Sequence, residues 1–231
     1  MLARPWSGPS LSGSVIVNLA GVTSGAALDD NIALARAALD LGAAQGAAHL
    51  FLLSSAAVYG RGDGGPLRED GPVHPANPYG LSKLGMEALA AGQSHVTVLR
   101  LGNVAGADAL LGRAVPDRVV QLDPVPGRPG GPARSYIGPL TLARVVARLC
   151  DLAFAGAALP PILNLAQPGG VTMAALLDAA GLPWHYGPEN PQVVPSVVLD
   201  TTRLESLMEV PVADATAMVA EWRELQRMRQ A

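Results

Sequence analysis

Short apolar runs alternate with longer helical patterns along most of this chain. The first run is SVIVNLAG at 14–21, and the second is HLFLLSS at 49–55. Between them, the segment 32–45 reads IALARAALDLGAAQ and is dense in strong helix formers. Strands that alternate with helices of this length form βαβ units, in which helices cover the faces of a parallel sheet. The pattern therefore predicts an α/β fold.

The alternation continues towards the carboxyl terminus and closes with an amphipathic helix. The predicted elements are a helix over 79–91, a strand over 96–102, a helix over 140–154, a strand within 161–167, a helix between Thr172 and Gly181, and a last helix over 214–228. In the last helix, the spacing of Val219, Trp222 and Leu225 places them on the buried side.

Composition excludes several classes of protein. Charged residues make up 15% of the chain and the formal net charge is -3, so no basic excess is present to bind nucleic acid. The single cysteine, Cys150, excludes a disulfide framework and is expected to be a buried residue of a helix. One cysteine and four scattered histidines predict no metal site. No apolar run reaches the roughly 20 residues that span a bilayer, so we expect a cytoplasmic protein without a membrane partner.

The sharpest chemical feature is the run Tyr79-Gly80-Leu81-Ser82-Lys83, which opens a predicted helix. A tyrosine and a lysine four residues apart share one helical face. An ammonium beside a phenol favours its ionised form, as proton transfer to or from an alcohol requires. Lys83 is also the only lysine in a chain that otherwise uses arginine. We therefore interpret Tyr79 and Lys83 as a catalytic pair.

A second feature comes just before this pair. Ser54 and Ser55 stand at the carboxyl end of the predicted strand HLFLLSS. A hydroxyl at that position can donate a hydrogen bond to a carbonyl oxygen on which charge develops. Serines at strand ends also form turns, which is the structural alternative.

Taken together, these runs resemble one family. SSAAVYG, the acidic and proline-rich loop REDGPVHPAN, and PYGLSKLGME follow the order of the extended short-chain dehydrogenase/reductases, in particular the NAD-dependent epimerases and dehydratases. The resemblance implies that Ser55 is the catalytic serine and that Tyr79 is the acid and base. It implies that Lys83 binds the nicotinamide ribose and tunes Tyr79.

Other segments resemble the same family in order and spacing. VIVNLAG resembles the strand that ends against the cofactor, which implies that Leu19, Ala20 and Gly21 contact NAD or NADP, together with Tyr79 and Lys83. Asn31 resembles the asparagine that opens the next helix. VTVLRLGNVAG resembles the strand ending R-x-x-N, so Asn31 and Asn103 are implied as substrate-binding residues. Ser135 and Thr141 stand where the family usually carries aspartates.

The resemblance also implies the domain organisation. We expect a flexible lead-in at 1–13, a Rossmann-like catalytic domain at 14–160 with a partial, doubly wound parallel sheet, and a small substrate lobe with a closing helix at 161–231. A homodimer is one possible assembly.

The family's glycine-rich phosphate loop has no counterpart in this chain. Gly60, Gly62 and Gly65 satisfy G-x-G-x-x-G, but the proline-rich segment after them cannot open the helix that would face a pyrophosphate. We expect the chain to start inside a longer protein; the alternatives are that this form pairs with another component, or that it has lost cofactor binding while keeping the catalytic residues. Cofactor binding and activity are expected to be impaired in this form.

The expected function is that of an NAD(P)-dependent oxidoreductase, epimerase or dehydratase. It would act on a hydroxyl-bearing carbon of a small-molecule or sugar-nucleotide substrate. The main alternative is a non-catalytic sensor or subunit with a dinucleotide-binding fold. A serine hydrolase is disfavoured because no G-x-S-x-G elbow surrounds Ser55.

Overall fold

The computed structural model describes residues 8–62, 64–112 and 119–230. Its strands are β1 (Val15–Asn18), β2 (His49–Ser55), β3 (Val96–Leu101), β4 (Asn103–Val104), β5 (Val120–Leu122), β6 (Ala133–Arg134), β7 (Tyr136–Ile137), β8 (Ile162–Leu165), β9 (Val171–Thr172), β10 (Trp184–Tyr186) and β11 (Ser196–Val197). Its helices are α1 (Asp30–Gln45), α2 (Pro78–Ala88), α3 (Pro139–Phe154), α4 (Met173–Ala180), α5 (Thr202–Glu205) and α6 (Ala215–Met228). No helix in these ranges is long and apolar enough to cross a membrane.

The chain divides into two compact units that interleave along the sequence. The first unit contains the described residues of Met1–Gly60, Glu69–Leu101 and Ala147–Asn164. The second contains those of Arg61–Arg68, Gly102–Val146 and Leu165–Ala231. This division differs from the consecutive 14–160 and 161–231 domains expected from sequence, because the segment after β3 belongs to the second unit.

A four-stranded sheet with the order β1-β2-β3-β8 organises the first unit. β1 runs parallel to β2, and β2 runs parallel to β3. The carboxyl ends of these strands therefore lie at one edge of the sheet, where open α/β folds bind their ligands. Because β1 ends at Asn18 and β2 ends at Ser55, the loop after β1 and the serine pair meet this edge. The structure confirms the predicted α/β fold with a parallel sheet.

Helices α1 and α2 cover one face of this sheet. Their small and apolar side chains form a core with those of β2 and β3, made of Ala35, Leu39, Leu50, Leu52, Met86, Ala90, Val96 and Val98. Each of these side chains is at most 8% exposed, so the layer excludes water. Since a buried apolar side chain stabilises a fold by about 1.5–3 kcal/mol, this layer holds α2 and its side chains in a defined place.

The second unit is built from short strands and a separate helical core. β6 pairs with β9 and β11, β4 pairs with β7, and β5 pairs with β10. Its core includes Tyr136, Leu176, Leu177, Met218 and Val219. Helix α4 begins at Thr172, whose side chain accepts a hydrogen bond from the Ala175 amide, as its sequence predicts.

One detail of burial differs from the prediction. Cys150 is half-buried rather than buried, because Leu149 takes the inward position on that turn of α3. In α6, Val219 is buried together with Met218, and Trp222 packs against the same core while half-buried. Leu225 is also half-buried, so the predicted buried side of the helix is confirmed.

Gly60 occupies a position that no other residue can take without strain. Its φ is +67°, and a Cβ there would lie 1.9 Å from the carbonyl oxygen of His74. We expect Gly60→Ala to lower the free energy of unfolding by more than the roughly 1–3 kcal/mol of a strained backbone conformation, because the loop that contains His74 must also move. Gly92→Ala is the matched control, since Gly92 has a φ of +76° with nothing within 4 Å of its added Cβ. Urea unfolding of both variants checks this; equal losses would contradict it.

Candidate active site

Helix α2 places Tyr79 and Lys83 on one face. The helix begins after Asn77, whose side chain accepts a hydrogen bond from the Gly80 amide at 2.8 Å. Pro78 occupies its first turn, where a missing N–H costs nothing. One turn later, the Lys83 ammonium lies 5.9 Å from the centroid of the Tyr79 ring. The two residues predicted as a catalytic pair are therefore neighbours.

The Lys83 ammonium is buried, and few protein groups offset the loss of its contacts with water. The residue is 5% exposed, and its Nζ donates a hydrogen bond to the carbonyl oxygen of Leu53 at 2.9 Å. Burial lowers the pKa of Lys83. An ammonium has three N–H donors, and within the part of the chain that the structure describes Leu53 is its one acceptor. The remaining donors are free for hydroxyl oxygens of a ligand.

The loop after β1 approaches Lys83 through a glycine. A Cβ on Gly21 would lie 3.0 Å from Lys83 Nζ and 3.1 Å from Asn31 Oδ1. Both distances are tighter than nine in ten real contacts of a Cβ, so a side chain here would require Lys83 or Asn31 to shift by a few tenths of an ångström. Leu19, Ala20 and Gly21 are all exposed. The loop predicted to contact the cofactor thus reaches the lysine predicted to bind its ribose.

Asn31 ties this loop to helix α2. Its Oδ1 accepts a hydrogen bond from the Val22 amide at 2.8 Å, and its Nδ2 donates to Val22 O and to Ser82 Oγ, both at 2.9 Å. Ser82 Oγ in turn donates to the carbonyl oxygen of Tyr79 at 2.8 Å. Asn31 is 1% exposed, so these contacts occupy its whole amide. Its role in substrate binding stays a prediction; the geometry supports positioning of the loop.

The two serines at the end of β2 face opposite ways, as alternation along a strand requires. Ser55 is half-buried, and its Oγ accepts a hydrogen bond from the Ala57 amide at 3.2 Å. Its own hydroxyl proton remains available for donation. Ser54 is buried, and its Oγ donates to Glu87 at 2.5 Å. Of the two, Ser55 is the one whose hydroxyl can serve a ligand.

A buried polar network that the sequence patterns did not predict lies behind the site. Arg100 donates to both carboxylate oxygens of Glu87, the shortest contact being 2.8 Å, and to Tyr59 Oη at 3.0 Å. Tyr59 Oη donates to Asn164 Oδ1 at 2.7 Å. Burial acts to lower the pKa of Arg100, but its bonds to Glu87 and Tyr59 raise it overall. The network joins β3, α2 and the turn after β2.

One signal in the sequence could have revealed this network. Arg100 stands inside VTVLRL, an otherwise apolar strand whose neighbours Val98 and Leu99 are each 1% exposed. A charge at such a position is stable only with a buried partner of opposite charge. Glu87 lies four residues after Lys83 on α2 and supplies that partner.

Asn103 belongs to the second unit, and its side chain lies near the phenol of Tyr136 and acts to lower its pKa. The Tyr136 hydroxyl donates a hydrogen bond to Asp108 Oδ2 at 2.7 Å. Burial, with the nearby Asp108 carboxylate, raises the pKa of Tyr136. The assignment of Asn103 to substrate or nicotinamide stays a prediction.

Ser135 and Thr141 are held by groups within the second unit. Ser135 Oγ accepts a hydrogen bond from the Leu199 amide at 2.9 Å. Thr141, near the start of α3, donates from its hydroxyl to Glu221 at 2.5 Å, and its amide also donates to Glu221. Glu221 of α6 therefore supplies a carboxylate at the start of α3.

Comparison with known sequences identifies the same region. A sequence model of the NAD dependent epimerase/dehydratase family matches residues 14–122, which include Ser55, Tyr79 and Lys83. A UDP-glucose 4-epimerase of Azospirillum brasilense is 52% identical over 60 residues, and one of Corynebacterium glutamicum is 40% identical over 89 residues. These stretches cover 24% and 36% of this chain, and 17% and 27% of the two relatives.

Comparison with solved structures extends the likeness to most of the chain. A UDP-glucose-4-epimerase from Stenotrophomonas maltophila, with bound NAD and formylated UDP-arabinopyranose, is 23% identical with a TM-score of 0.77. The NAD-dependent NDP-hexosamine 5,6-dehydratase of tunicamycin biosynthesis is 18% identical with a TM-score of 0.74. The matches cover 94% and 93% of this chain, and 77% of each neighbour. At these identities the likeness shows the fold, which is a Rossmann-like α/β fold. Over residues 14–122, then, the chain is similar to the NAD dependent epimerase/dehydratase family.

Proposed function

We propose that this chain carries the catalytic residues of an NAD-dependent epimerase or dehydratase acting on a hydroxyl-bearing carbon of a sugar nucleotide. The observation that carries the proposal is the buried Lys83 ammonium, 5.9 Å from the centroid of the Tyr79 ring. Burying a lysine without a carboxylate partner destabilises a fold. A chain whose only lysine is held in this way has a use for the charge other than stability.

Tyr79 is the acid and base of the proposed reaction. Its hydroxyl has no hydrogen-bond partner among the residues that the structure describes, so it can meet a substrate hydroxyl. The ammonium of Lys83 stabilises the phenolate that remains after Tyr79 gives up its proton. In the forward direction the phenolate accepts the proton of the alcohol, and in the reverse direction the phenol returns it.

Ser55 and Gly21 complete the arrangement. The Ser55 hydroxyl donates a hydrogen bond to the substrate oxygen as carbonyl character develops on it. The free N–H donors of Lys83 fit the hydroxyls of a ribose, and the absence of a side chain at Gly21 leaves room beside them. These residues fit a nicotinamide dinucleotide, which when bound supplies the acceptor for hydride. The NAD present in the solved neighbours supports NAD rather than NADP.

Within the second unit, Arg134 has the chemistry of a residue that binds an anionic ligand. Arg134 is half-buried, and its guanidinium donates to the carbonyl oxygen of Ala133 without a carboxylate partner among the described residues. Burial lowers the pKa of Arg134, and the nearby charge of Arg128 acts in the same direction. Guanidinium groups in this state favour anionic ligands, and phosphates are bound in bidentate fashion. The diphosphate of a sugar nucleotide has this chemistry, and several solved neighbours hold UDP or UDP-sugars.

Substitution of Lys83 by methionine tests the proposal. Methionine keeps the length and volume of the side chain and removes the buried charge. The ordinary lysine pKa is 10.5, and burial lowers it in the folded chain. Below the folded pKa the full cost of burying the charge is present, and it disappears as the pH rises to the unfolded value. We therefore expect Lys83→Met to keep or raise the melting temperature at neutral pH, with no gain above pH 10.5.

The functional readout of the same variant is separate. Activity is expected to be reduced in this form, but the wild-type chain should still show measurable interconversion of UDP-glucose and UDP-galactose, or elimination of water from a sugar nucleotide, in the presence of NAD. Lys83→Met should lose this turnover while remaining folded. A wild-type chain that neither binds NAD in a titration nor changes any sugar nucleotide would overturn the proposed function.

A further inference from the structure

A pair of histidines lies at the amino ends of β2 and β3, at the other end of the sheet from Ser55. His49 is the first residue of β2, and His95 immediately precedes β3. Each stands one residue before Leu50 and Val96, which are partners in the parallel register. The Leu50 amide also donates to the carbonyl oxygen of His95 at 2.9 Å. Partner residues of parallel strands project to the same face, so the two imidazoles lie on the same face of the sheet.

The hydrogen bonds of His49 define its tautomer. Thr97 Oγ1 donates its single proton to the carbonyl oxygen of Pro160 at 2.9 Å. The 3.0 Å contact between His49 Nε2 and Thr97 Oγ1 must therefore be a donation from Nε2–H. In the neutral ring, Nδ1 then carries the lone pair. Burial lowers the pKa of His49, and the nearby His95 acts in the same direction.

His49 is a buried residue, but its Nδ1 atom is in partial contact with solvent. Every side-chain nitrogen and oxygen that is fully buried in the described residues has a hydrogen-bond partner. Nδ1 of His49 has none there, so it is not fully buried. His49 and the exposed His95 both line an open cavity of about 690 Å³, together with Gln93, Ser94 and small residues of segment 153–161.

We propose that His49 and His95 bind one divalent transition-metal ion in this cavity. Nδ1 of His49 and the imidazole of His95 are the protein ligands, and water completes the coordination. Neutral imidazole is a ligand suited to zinc, copper and nickel. His49 is hydrogen-bonded to Thr97, and Thr97 donates to the carbonyl oxygen of Pro160. Hydrogen bonds of this kind orient histidine ligands of metals and fix their tautomer.

Two protein ligands define the character of this site. The described residues contain no group of three or more histidine, cysteine, aspartate or glutamate side chains that could hold a metal. Structural zinc sites use four protein ligands and catalytic ones use three. The ion at His49 and His95 therefore exchanges with solvent, and its affinity follows the order of late divalent metals, with copper above nickel and zinc.

Titration of the full chain with Ni²⁺, Cu²⁺ and Zn²⁺ by calorimetry tests the proposal. We expect one equivalent of metal per chain, bound most tightly for Cu²⁺. Thr97→Val keeps the shape of the buried side chain and removes the hydroxyl that orients His49, so affinity should fall by about 10–100-fold. His95→Ala, at an exposed position that leaves the fold intact, should lower affinity at least as much. In NMR spectra, Ni²⁺ should broaden the ring signals of His49 and His95 first.

The other two histidines provide matched controls. His74 and His185 are exposed, and His74→Ala and His185→Ala should leave the affinity and stoichiometry unchanged. Unchanged binding in His95→Ala would overturn the site. Binding of several metal ions per chain, each weak and each lost when one histidine is removed, would also overturn it. That result would indicate adventitious binding to surface imidazoles.

Discussion

Replacing Tyr79 by phenylalanine is expected to lower turnover by about 10²–10⁴-fold, the usual contribution of a positioned acid or base. The variant removes one hydroxyl and keeps the ring that lies beside Lys83. Stability should be unchanged, because that hydroxyl makes no hydrogen bond within the described ranges and the side chain is half-buried. Sugar-nucleotide turnover and thermal unfolding, measured on the same preparation, check both parts.

Tyr59→Phe is the matched control. It should show the opposite pattern, with lower stability and unchanged turnover per folded molecule. The Tyr59 hydroxyl is buried, donates to Asn164 and accepts from Arg100. Leaving those buried partners unsatisfied costs about 1–3 kcal/mol. Turnover per folded molecule should remain, because Tyr59 lies in the network behind the site. A Tyr79→Phe variant that keeps full turnover would remove tyrosine from the mechanism.

The same pair of variants separates an enzyme from a non-catalytic sensor or subunit. In a sensor, Tyr79 would matter only through the shape of its ring, which phenylalanine preserves. NAD or partner binding would then be equal in wild type and Tyr79→Phe, with no turnover in either. In the proposed enzyme, binding persists in the variant while turnover is lost, since Lys83 still offers its donors to the ribose.

The elements of the first unit could be predicted because their patterns are local. The bounds of β2 agree with the run HLFLLSS, and β3 differs from its predicted range only by the final glycine. The pair Tyr79 and Lys83 follows from helical spacing alone, once the helix is placed. These inferences need no knowledge of distant residues.

The strands and contacts that could not be predicted depend on residues that are far apart in sequence. The strands β6 and β9 have two residues each, too short for any period, and they exist because Ala133 pairs with Thr172. His49 and His95 become neighbours only through strand pairing, so ligand spacing along the sequence could not reveal them. From sequence, only the family resemblance favoured Ser55 over Ser54 as the catalytic serine. In the structure, the hydrogen bond from Ser54 to Glu87 distinguishes the two.

Replacing Arg100 by methionine is expected to destabilise the chain by about 3–5 kcal/mol, the cost of leaving one member of a buried ion pair alone. Arg100 and Glu87 side chains are 4% and 6% exposed, and their closest contact is 2.8 Å. Methionine fills much of the volume, so the loss comes from the stranded carboxylate and from Tyr59, which loses its donor. Urea unfolding followed by circular dichroism measures the change.

A second substitution isolates the role of charge. Glu87→Gln in the Arg100→Met background removes the stranded charge and keeps an oxygen that accepts the Ser54 hydrogen bond. We expect the double variant to recover a large part of the lost stability, because an amide costs far less to bury than an unpaired carboxylate. If the double variant is as unstable as Arg100→Met, cavity formation rather than electrostatics dominates at this position. Because α2 carries both Glu87 and Lys83, recovery of stability should also restore the placement of the catalytic helix and hence turnover.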